Sequence, residues 1–273
     1  MTEAVAFVPG HVTGFFSAHD DDDDPTKAGS RGAGVALADG VTVRLEPGDG
    51  VECNGEDCEV EAVDRVLSAL RSTARVVVET DLPLGAGFGV SGAAALGTAL
   101  TANAVFDRGL SENELVTIAH GAEVQAGTGL GDVVAQARGG FPVRLEPGAP
   151  AHGAMDGIPA RRELEYVTFG ELSTEEVLSG DTGELTEAGR QALSALVAEP
   201  TLESFMHASR TFARETALLT PRLREAIQDV TEAGGEASMA MLGETVFALD
   251  DGLSAAGYDA KRCDVCVAGA HLQ

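Results

Sequence analysis

The stretch Pro83–Ala94, PLGAGFGVSGAA, holds four glycines, a proline and one serine among small residues. So little side chain in one place means a tight turn, or a backbone that something else must approach closely. The stretch follows RVVVET (Arg75–Thr80), which reads as a strand, and leads into a run of small residues over Gly92–Phe106 that reads as a buried helix. Gly87, Gly89 and Gly92 fit the spacing G-x-G-x-x-G. A dinucleotide fold also needs a second strand ending in an acid about 20 residues on. Here the helix runs through Asp107-Arg-Gly-Leu110 into another helix, opened by the capping box Ser111–Glu114. No lysine follows the glycines, which excludes a Walker loop. Two readings stay open. One is a structural turn. The other is an anion cradle, in which bare N–H groups and the positive end of a helix face phosphate, with the Ser91 hydroxyl available to a phosphate oxygen or to magnesium.

The chain has 273 residues and 44% apolar content, enough for one large or two ordinary domains. Its formal net charge is −26, and its only lysines are Lys27 and Lys261. Such self-repulsion destabilises a compact state in dilute buffer and is screened in molar salt, where the Debye length falls to about 3 Å. A halophilic host is therefore expected, and the absence of a basic stripe argues against nucleic acid. No apolar run reaches membrane-spanning length and no leader precedes Val5, so a cytoplasmic protein is expected. The acidic run Asp20–Asp24 reads as solvated loop. Cys53, Cys58, Cys263 and Cys266 read as free thiols. Cys263 and Cys266 lie on a strand over Cys263–Ala268, where positions three apart face opposite ways, so a zinc site is not expected.

Strands are expected at Val5–Val8, Gly34–Leu45, Phe141–Leu145, Glu165–Phe169, Ala237–Met241 and Thr245–Leu249. Helices are expected at Glu59–Ser72, Ser111–Gln125, Asp132–Ala137, Ser173–Leu178, Thr186–Val197, Thr201–Leu218, Pro221–Ala233 and Gly252–Ala256. The Pro/Gly/Ala-rich Glu146–Ala160 is the best boundary, giving domains 1–150 and 151–273. Strands and helices are mixed without strict alternation, which favours α+β in both halves.

The glycine stretch resembles the phosphate loop P-x-x-x-G-L-G-S-S-A of the GHMP kinases, named after galactose, homoserine, mevalonate and phosphomevalonate. Phe88 replaces the family Leu, Val90 the first Ser and Gly92 the Ala; Ser91 keeps the second Ser. FVPGHVTGFF (Phe7–Phe16) is similar to the family's first motif. GAEVQAGTGLGDVVAQARGG (Gly121–Gly140) is similar to the segment with its metal-binding glutamate and acid/base aspartate. Of the glycine-rich third motif, SMAMLGETVFAL (Ser238–Leu249) keeps only Gly243. With GSRGAGV (Gly29–Val35), the combination looks most like the archaeal pantoate kinases within this family. The resemblance implies an N-terminal domain like ribosomal protein S5 domain 2, a ferredoxin-like C-terminal domain, and a site between them. The implied reaction is ATP- and magnesium-dependent phosphorylation of pantoate to 4-phosphopantoate in coenzyme A biosynthesis. A homoserine or mevalonate kinase, or a non-catalytic nucleotide-binding regulator of the same fold, are the alternatives.

In that frame Pro83, Gly85, Gly87, Gly89, Ser91, Gly92 and Ala93 hold ATP, and Ser91 and Glu123 hold magnesium. Asp132 orients or deprotonates the attacking hydroxyl, with His11, between two glycine turns, as a second catalytic and substrate-binding group. Arg144, Arg31 and Ser30 are candidates for the substrate carboxylate and oxygens. Val12 or Phe15 would meet the methyl groups. Asp132 as a plain helix cap and Glu123 as a surface acid are the competing structural readings. Pantoate and ATP are the expected partners, without nucleic acid or membrane; a homodimer is compatible with these readings.

Overall fold

The computed structural model describes residues 4–20, 22–170 and 183–273. The expected helix over Ser173–Leu178 lies outside these residues. The fold is α+β, built on two sheets.

The first sheet rests on a long antiparallel pair, β1 (Val5–His19) and β2 (Gly29–Glu46). Only Val5–Val8 of β1 is expected from the sequence, because Gly10, His11 and Gly14 read as turns. Instead the glycines fall at two irregularities in one continuous strand, between Pro9 and Gly10 and between Thr13 and Phe15. Each lets the strand bend without ending it. β2 is long enough to serve two neighbours. Its far half, Val41–Glu46, pairs with β5 (Arg75–Thr80), and its near half, Gly32–Ala33, with β6 (Phe141–Glu146). β3 (Val51–Cys53) and β4 (Glu56–Cys58) extend the sheet beyond β5. β7 (Ala154–Ile158) pairs with β6, so the segment Glu146–Ala160 contains a strand of this sheet. The final β12 (His271–Leu272) returns to pair with β1.

Four helices accompany this sheet: α1 (Glu61–Ala69), α2 (Val90–Val105), α3 (Glu112–Ala126) and α4 (Asp132–Arg138). α2 is buried nearly all round, which suits its run of Ala and Gly. A Cβ on Gly97 would lie 2.5 Å from Val43 Cγ2, so α2 rides directly on β2. Ser111 caps α3 with the reciprocal Glu114 contact that its sequence predicts.

The second sheet is antiparallel, with β8 (Glu163–Gly170), β9 (Ala237–Ala240), β10 (Glu244–Leu249) and β11 (Lys261–Asp264) in the order β11-β8-β10-β9. This is the 4-1-3-2 order of a ferredoxin-like unit. Helices α5 (Gly183–Ala198), α6 (Leu202–Glu215), α7 (Pro221–Glu232) and α8 (Gly252–Ala255) accompany it. The aromatics Phe15, Phe141, Phe205 and Phe247 join the two sheets in one core. The last strand is shorter than its sequence suggests: it ends at Asp264, and Val265 bridges to Leu37.

The free-thiol expectation is corrected for one pair. Cys53 and Cys58 form a disulfide, while Cys263 and Cys266 are free. The hairpin between them turns on Asn54 and Gly55, both at positive φ, and brings the two Cα atoms to 5.9 Å. Among the described residues no helix is long and apolar enough to cross a membrane.

Asp22 and Asp23 are exposed, and the ion pairs are surface pairs for the most part, as at Arg65–Glu61, Arg162–Asp250 and Arg190–Glu187. Exposed pairs contribute little in water, so screening of the −26 net charge should dominate salt effects. From dilute buffer to about 1 M KCl, where the Debye length is about 3 Å, Tm is expected to rise by about 10 °C. Thermal melts across that range test this; a flat Tm would reject the halophilic reading.

Candidate active site

A cavity of about 760 Å³ opens between the glycine stretch, the ends of α3 and α4, and the bent part of β1 and β2. Its floor begins with Pro83–Ala94. Gly85, Gly87 and Gly89 all have left-handed φ, at 70°, 87° and 62°. Phe88 turns inward, fully buried, and packs edge-on against Tyr166 with ring centroids 4.9 Å apart. The loop is thus pinned by one aromatic side chain while its backbone faces the cavity. A Cβ on Gly243 would lie 2.0 Å from Ala86 O, and one on Gly87 3.0 Å from Met241 O. The hairpin joining β9 to β10 therefore presses on the loop backbone to backbone, and Thr245 Oγ1 donates to Ala86 O at 2.9 Å. This explains the retained Gly243.

Gly89 caps α2, and the N–H groups of Val90, Ser91 and Gly92 form its unpaired first turn. Gly85, Gly87, Gly89 and Ser91 line the cavity. Gly92 and Ala93 are buried behind them, and the Ala93 N–H is already used, donating to Gly89 O at 3.0 Å. Pro83 stands outside the cavity wall.

Two carboxylates flank Gly129. A Cβ there would lie 2.5 Å from Glu123 Oε2 and 3.5 Å from Asp132 Oδ2, so only glycine leaves the space between them open. Glu123 ends α3 in a buried position rather than on the surface. Ser91 Oγ donates to its Oε1 at 2.5 Å, and Thr128 Oγ1 to the same oxygen at 2.8 Å. Burial pushes its pKa up to about 7, against the pull of these two hydroxyls and with help from the nearby Asp132 charge.

Asp132 opens α4, but its side chain makes no cap; the N-cap is Gly131. Its Oδ1 accepts a hydrogen bond from His11 Nδ1 at 2.6 Å. Burial alone would raise the Asp132 carboxyl, but the His11 hydrogen bond and the charges around it, Arg144 included, hold it below the usual carboxylate range. Burial lowers the His11 pKa despite that same bond and the nearby Asp132 charge. His11 itself is fully buried behind Asp132 and lines no part of the cavity.

Arg144 and Ser30 meet at Gly131, where a Cβ would lie 2.5 Å from Ser30 Oγ and 2.7 Å from Arg144 Nε. Both line the cavity beside Asp132. Arg144 is 2% exposed, and its Nε and Nη1 have no hydrogen-bond partner among the described residues. Arg31 is not brought to this site. It neighbours Ser30 on β2, so its side chain takes the opposite face, where it pairs with Glu146. Val12 and Phe15 likewise point into the core, while Thr13 and Phe16 line the cavity. Lys27 pairs loosely with Asp24 and stands apart from the cavity.

Three groups escape the sequence reading. Thr128 joins Ser91 on Glu123, signalled only by its place in the GTGLGD loop. Gln136 is buried, and its Nε2 donates to Gly89 O at 2.8 Å, tying α4 to the glycine loop. His120, one turn before Glu123, is buried with Nε2 2.8 Å from Ala28 O. Gln136 and His120 reveal themselves only through contacts distant in sequence.

The family model for the GHMP kinases N terminal domain matches residues 59–140. Over 251 residues the chain is 35% identical to pantoate kinase of Methanocaldococcus jannaschii, covering 89% of this chain and 91% of that one. The chain belongs to the pantoate kinase family of GHMP kinases. It is 38% identical to pantoate kinase of Thermococcus kodakarensis, covering 89% of this chain and 86% of that one. Homoserine kinase of Halorubrum lacusprofundi matches only 43% of this chain and 44% of its own length, at 37% identity. A solved phosphotransferase related to the CoA biosynthesis pathway superposes over 100% of this chain and 99% of its own, with TM-score 0.87 and 32% identity. As a member of this family the chain is an ATP-dependent small-molecule kinase.

Glu123 yields a prediction that separates stability from activity. With its pKa raised from 4.5 to about 7, the folded state holds an extra proton between those values. This carboxyl therefore costs stability progressively as pH rises through that window, and costs most above it. Without metal at pH 8, Glu123→Gln should raise Tm, by on the order of a few kcal/mol of stability, while abolishing turnover. An unchanged or lower Tm at pH 8 would show that Glu123 is not strained as its burial implies.

Proposed function

We propose that the protein transfers the γ-phosphoryl group of ATP to the primary hydroxyl of pantoate, giving 4-phosphopantoate for coenzyme A biosynthesis in the cytoplasm. The observation that carries this reading is Arg144: a buried guanidinium whose Nε and Nη1 have no hydrogen-bond partner among the described residues, one glycine away from an ionised Asp132. An acceptor for such a site has a carboxylate at one end and a hydroxyl at the other. Ser30 adds a hydroxyl for a second acceptor oxygen.

The glycine backbone and the first turn of α2 suit the triphosphate. Among the described residues, the charged groups lining the cavity are Glu59, Glu61, Glu123, Asp132 and Arg144. One cation against four carboxylates cannot offset ATP. Magnesium, which takes one or two carboxylates with phosphate oxygens and water, fits this shortfall. Ser91 and Glu123, beside the space that Gly129 keeps open, would hold it, and when bound it would supply positive charge to offset that of the triphosphate.

Asp132 then accepts the hydrogen bond of the acceptor hydroxyl. The hydroxyl oxygen forms a bond to the γ-phosphorus as the bond to the β,γ-bridging oxygen breaks, and the hydroxyl proton passes to Asp132. The low pKa of Asp132 favours orienting the hydroxyl, with proton transfer late, as suits a loose phosphoryl-transfer transition state. His11 acts as a positioning residue: its Nδ1–H fixes one carboxylate oxygen and leaves the other for the acceptor.

Asp132→Asn keeps the volume and removes the charge. Turnover should fall by about 10²-fold or more, with ATP affinity retained; unchanged turnover would remove Asp132 from the chemistry. Arg144→Ala should raise the pantoate KM by about 10- to 100-fold, the equivalent of about 1.5–3 kcal/mol for a charge-assisted bond, and leave the ATP KM within about threefold. The acceptor itself is tested by ADP release in high salt with pantoate, homoserine and mevalonate. Faster turnover of either alternative would reject pantoate and leave the kinase assignment standing.

A further inference from the structure

We propose that Leu242 shields the glycine loop from water, so that the γ-phosphoryl group of ATP passes to the acceptor hydroxyl and is not lost by hydrolysis. The proposal rests on the reading of that loop as the triphosphate site and adds to it a residue from the second sheet.

Leu242 is set apart by its backbone. Six described residues other than glycine have positive φ: Asn54, Arg71, Asp107, Ala217, Leu242 and Asp250. Asn and Asp visit this region readily because their short polar side chains bond locally. Leu242, at φ 66°, is bulky and apolar and has no such support. It is also the only one of the six that lines the cavity.

Met241, Leu242 and Gly243 make the turn between β9 and β10. A turn position at positive φ takes glycine by default. Glycine stands next door at Gly243, but there it is needed for space, since a Cβ would lie 2.0 Å from Ala86 O. Glycine at position 242 would ease the backbone, yet the chain places leucine there. Residues held in such conformations persist where their surroundings fix them, and they cluster at functional sites.

The surroundings do fix this turn. The Met241 N–H donates to Thr13 O at 2.9 Å, and Thr245 Oγ1 donates to Ala86 O at 2.9 Å. A Cβ on Gly87 would lie 3.0 Å from Met241 O and 3.2 Å from Gly243 N. Met241 and Gly243 therefore both abut Gly87, and Leu242 between them stands beside the middle of the loop. Every other described residue lining the cavity lies between Thr13 and Arg144, so Met241 and Leu242 are the whole contribution of the second sheet. Met241 is 2% exposed, and Leu242 is the more open of the two.

The polar groups of the cavity would accept water as readily as substrate. Asp132, which accepts the hydrogen bond of an acceptor hydroxyl, would do the same for water. The water oxygen would then bond to the γ-phosphorus as the bond to the β,γ-bridging oxygen breaks, giving ADP and inorganic phosphate, with one water proton passing to Asp132. An apolar side chain beside Gly87 offers water no partner, and exclusion of water is what suppresses this side reaction. Leu242 also packs against the core, a structural use that a ratio of two rates separates from shielding.

The test compares ADP release without acceptor to formation of phosphorylated acceptor with pantoate, both with ATP in high salt. In wild-type protein the acceptor-free rate should be slower by at least about tenfold. In Leu242→Gly, which keeps the turn, the ratio of hydrolysis to transfer should rise by at least about tenfold. Leu242→Asn, which also accepts positive φ and brings a polar group, should shift the ratio the same way and serves as the readout if the glycine variant does not fold. Leu242→Met, with an apolar side chain again, should bring it back towards wild type. A structural role alone would lower both rates together. An unchanged ratio in a folded glycine or asparagine variant, or acceptor-free ADP release by wild-type protein as fast as transfer, overturns the proposal. Transfer to homoserine or mevalonate in place of pantoate would overturn the acceptor assignment alone, and the ratio is then read with that acceptor.

Discussion

Glu123 and Asp132 stand on either side of Gly129, both withdrawn from solvent, and the surrounding side chains keep the two from being ionised alike. Asp132 is matched by the His11 hydrogen bond and the Arg144 charge. Glu123 has only two hydroxyls, and its pKa rises to about 7. Two carboxyl groups pushed apart in this way can take separate roles, one to meet a hydroxyl and one to meet a cation. The cost lies in the fold itself: Arg144 Nε and Nη1 have no hydrogen-bond partner among the described residues, and Glu123 is withdrawn from water.

The backbone around these groups is fitted more tightly than the side chains. Gly243 against Ala86 O, Gly131 against Ser30 and Arg144, and Gly89 against Asp132 and Gln136 are all positions where a Cβ would collide or nearly so. They join the glycine loop to β10, α4 to β6, and α4 to the loop. Asp132 and the N-terminus of α2 are thereby held in a fixed relation by close glycine contacts and by the Gln136 bond to Gly89 O. Phosphoryl transfer depends chiefly on positioning, and bare glycine backbone is what lets these parts come so close.

Much of this was legible in the sequence where the signal was local. RVVVET and the Ser111–Glu114 box appear as expected, because strand propensity and capping act within a few residues. The glycine stretch likewise folds as a loop opening a helix. The difficulties came where distant strands decide. Whether Arg31 or Arg144 faces the cavity depends on the pleat of β2 and on the pairing of β2 with β6, across more than a hundred residues. Phe15, expected beside the acceptor, is turned into the core through one irregularity at Gly14, which reads in sequence as a turn. The Cys53–Cys58 bridge carried a local signal in Asn54-Gly55, a hairpin turn that explains the pairing better than compartment does.

The charge of the chain bears on how this site meets its ligands. ATP and a hydroxy acid are both anions, and the protein carries −26. In dilute buffer the long-range field repels each of them, and the few cationic features of the cavity cannot reverse it at a distance. In molar salt that field dies within about 3 Å, and what a ligand would meet is contact chemistry: the first-turn N–H groups of α2 and the guanidinium of Arg144. Burial matters for the same reason. An exposed arginine would be screened along with the rest of the surface, whereas Arg144, at 2% exposure, would keep its attraction for a carboxylate placed beside it when the outer charges no longer act. An acidic surface and a buried cation in the cavity are thus compatible, because salt separates the two by distance.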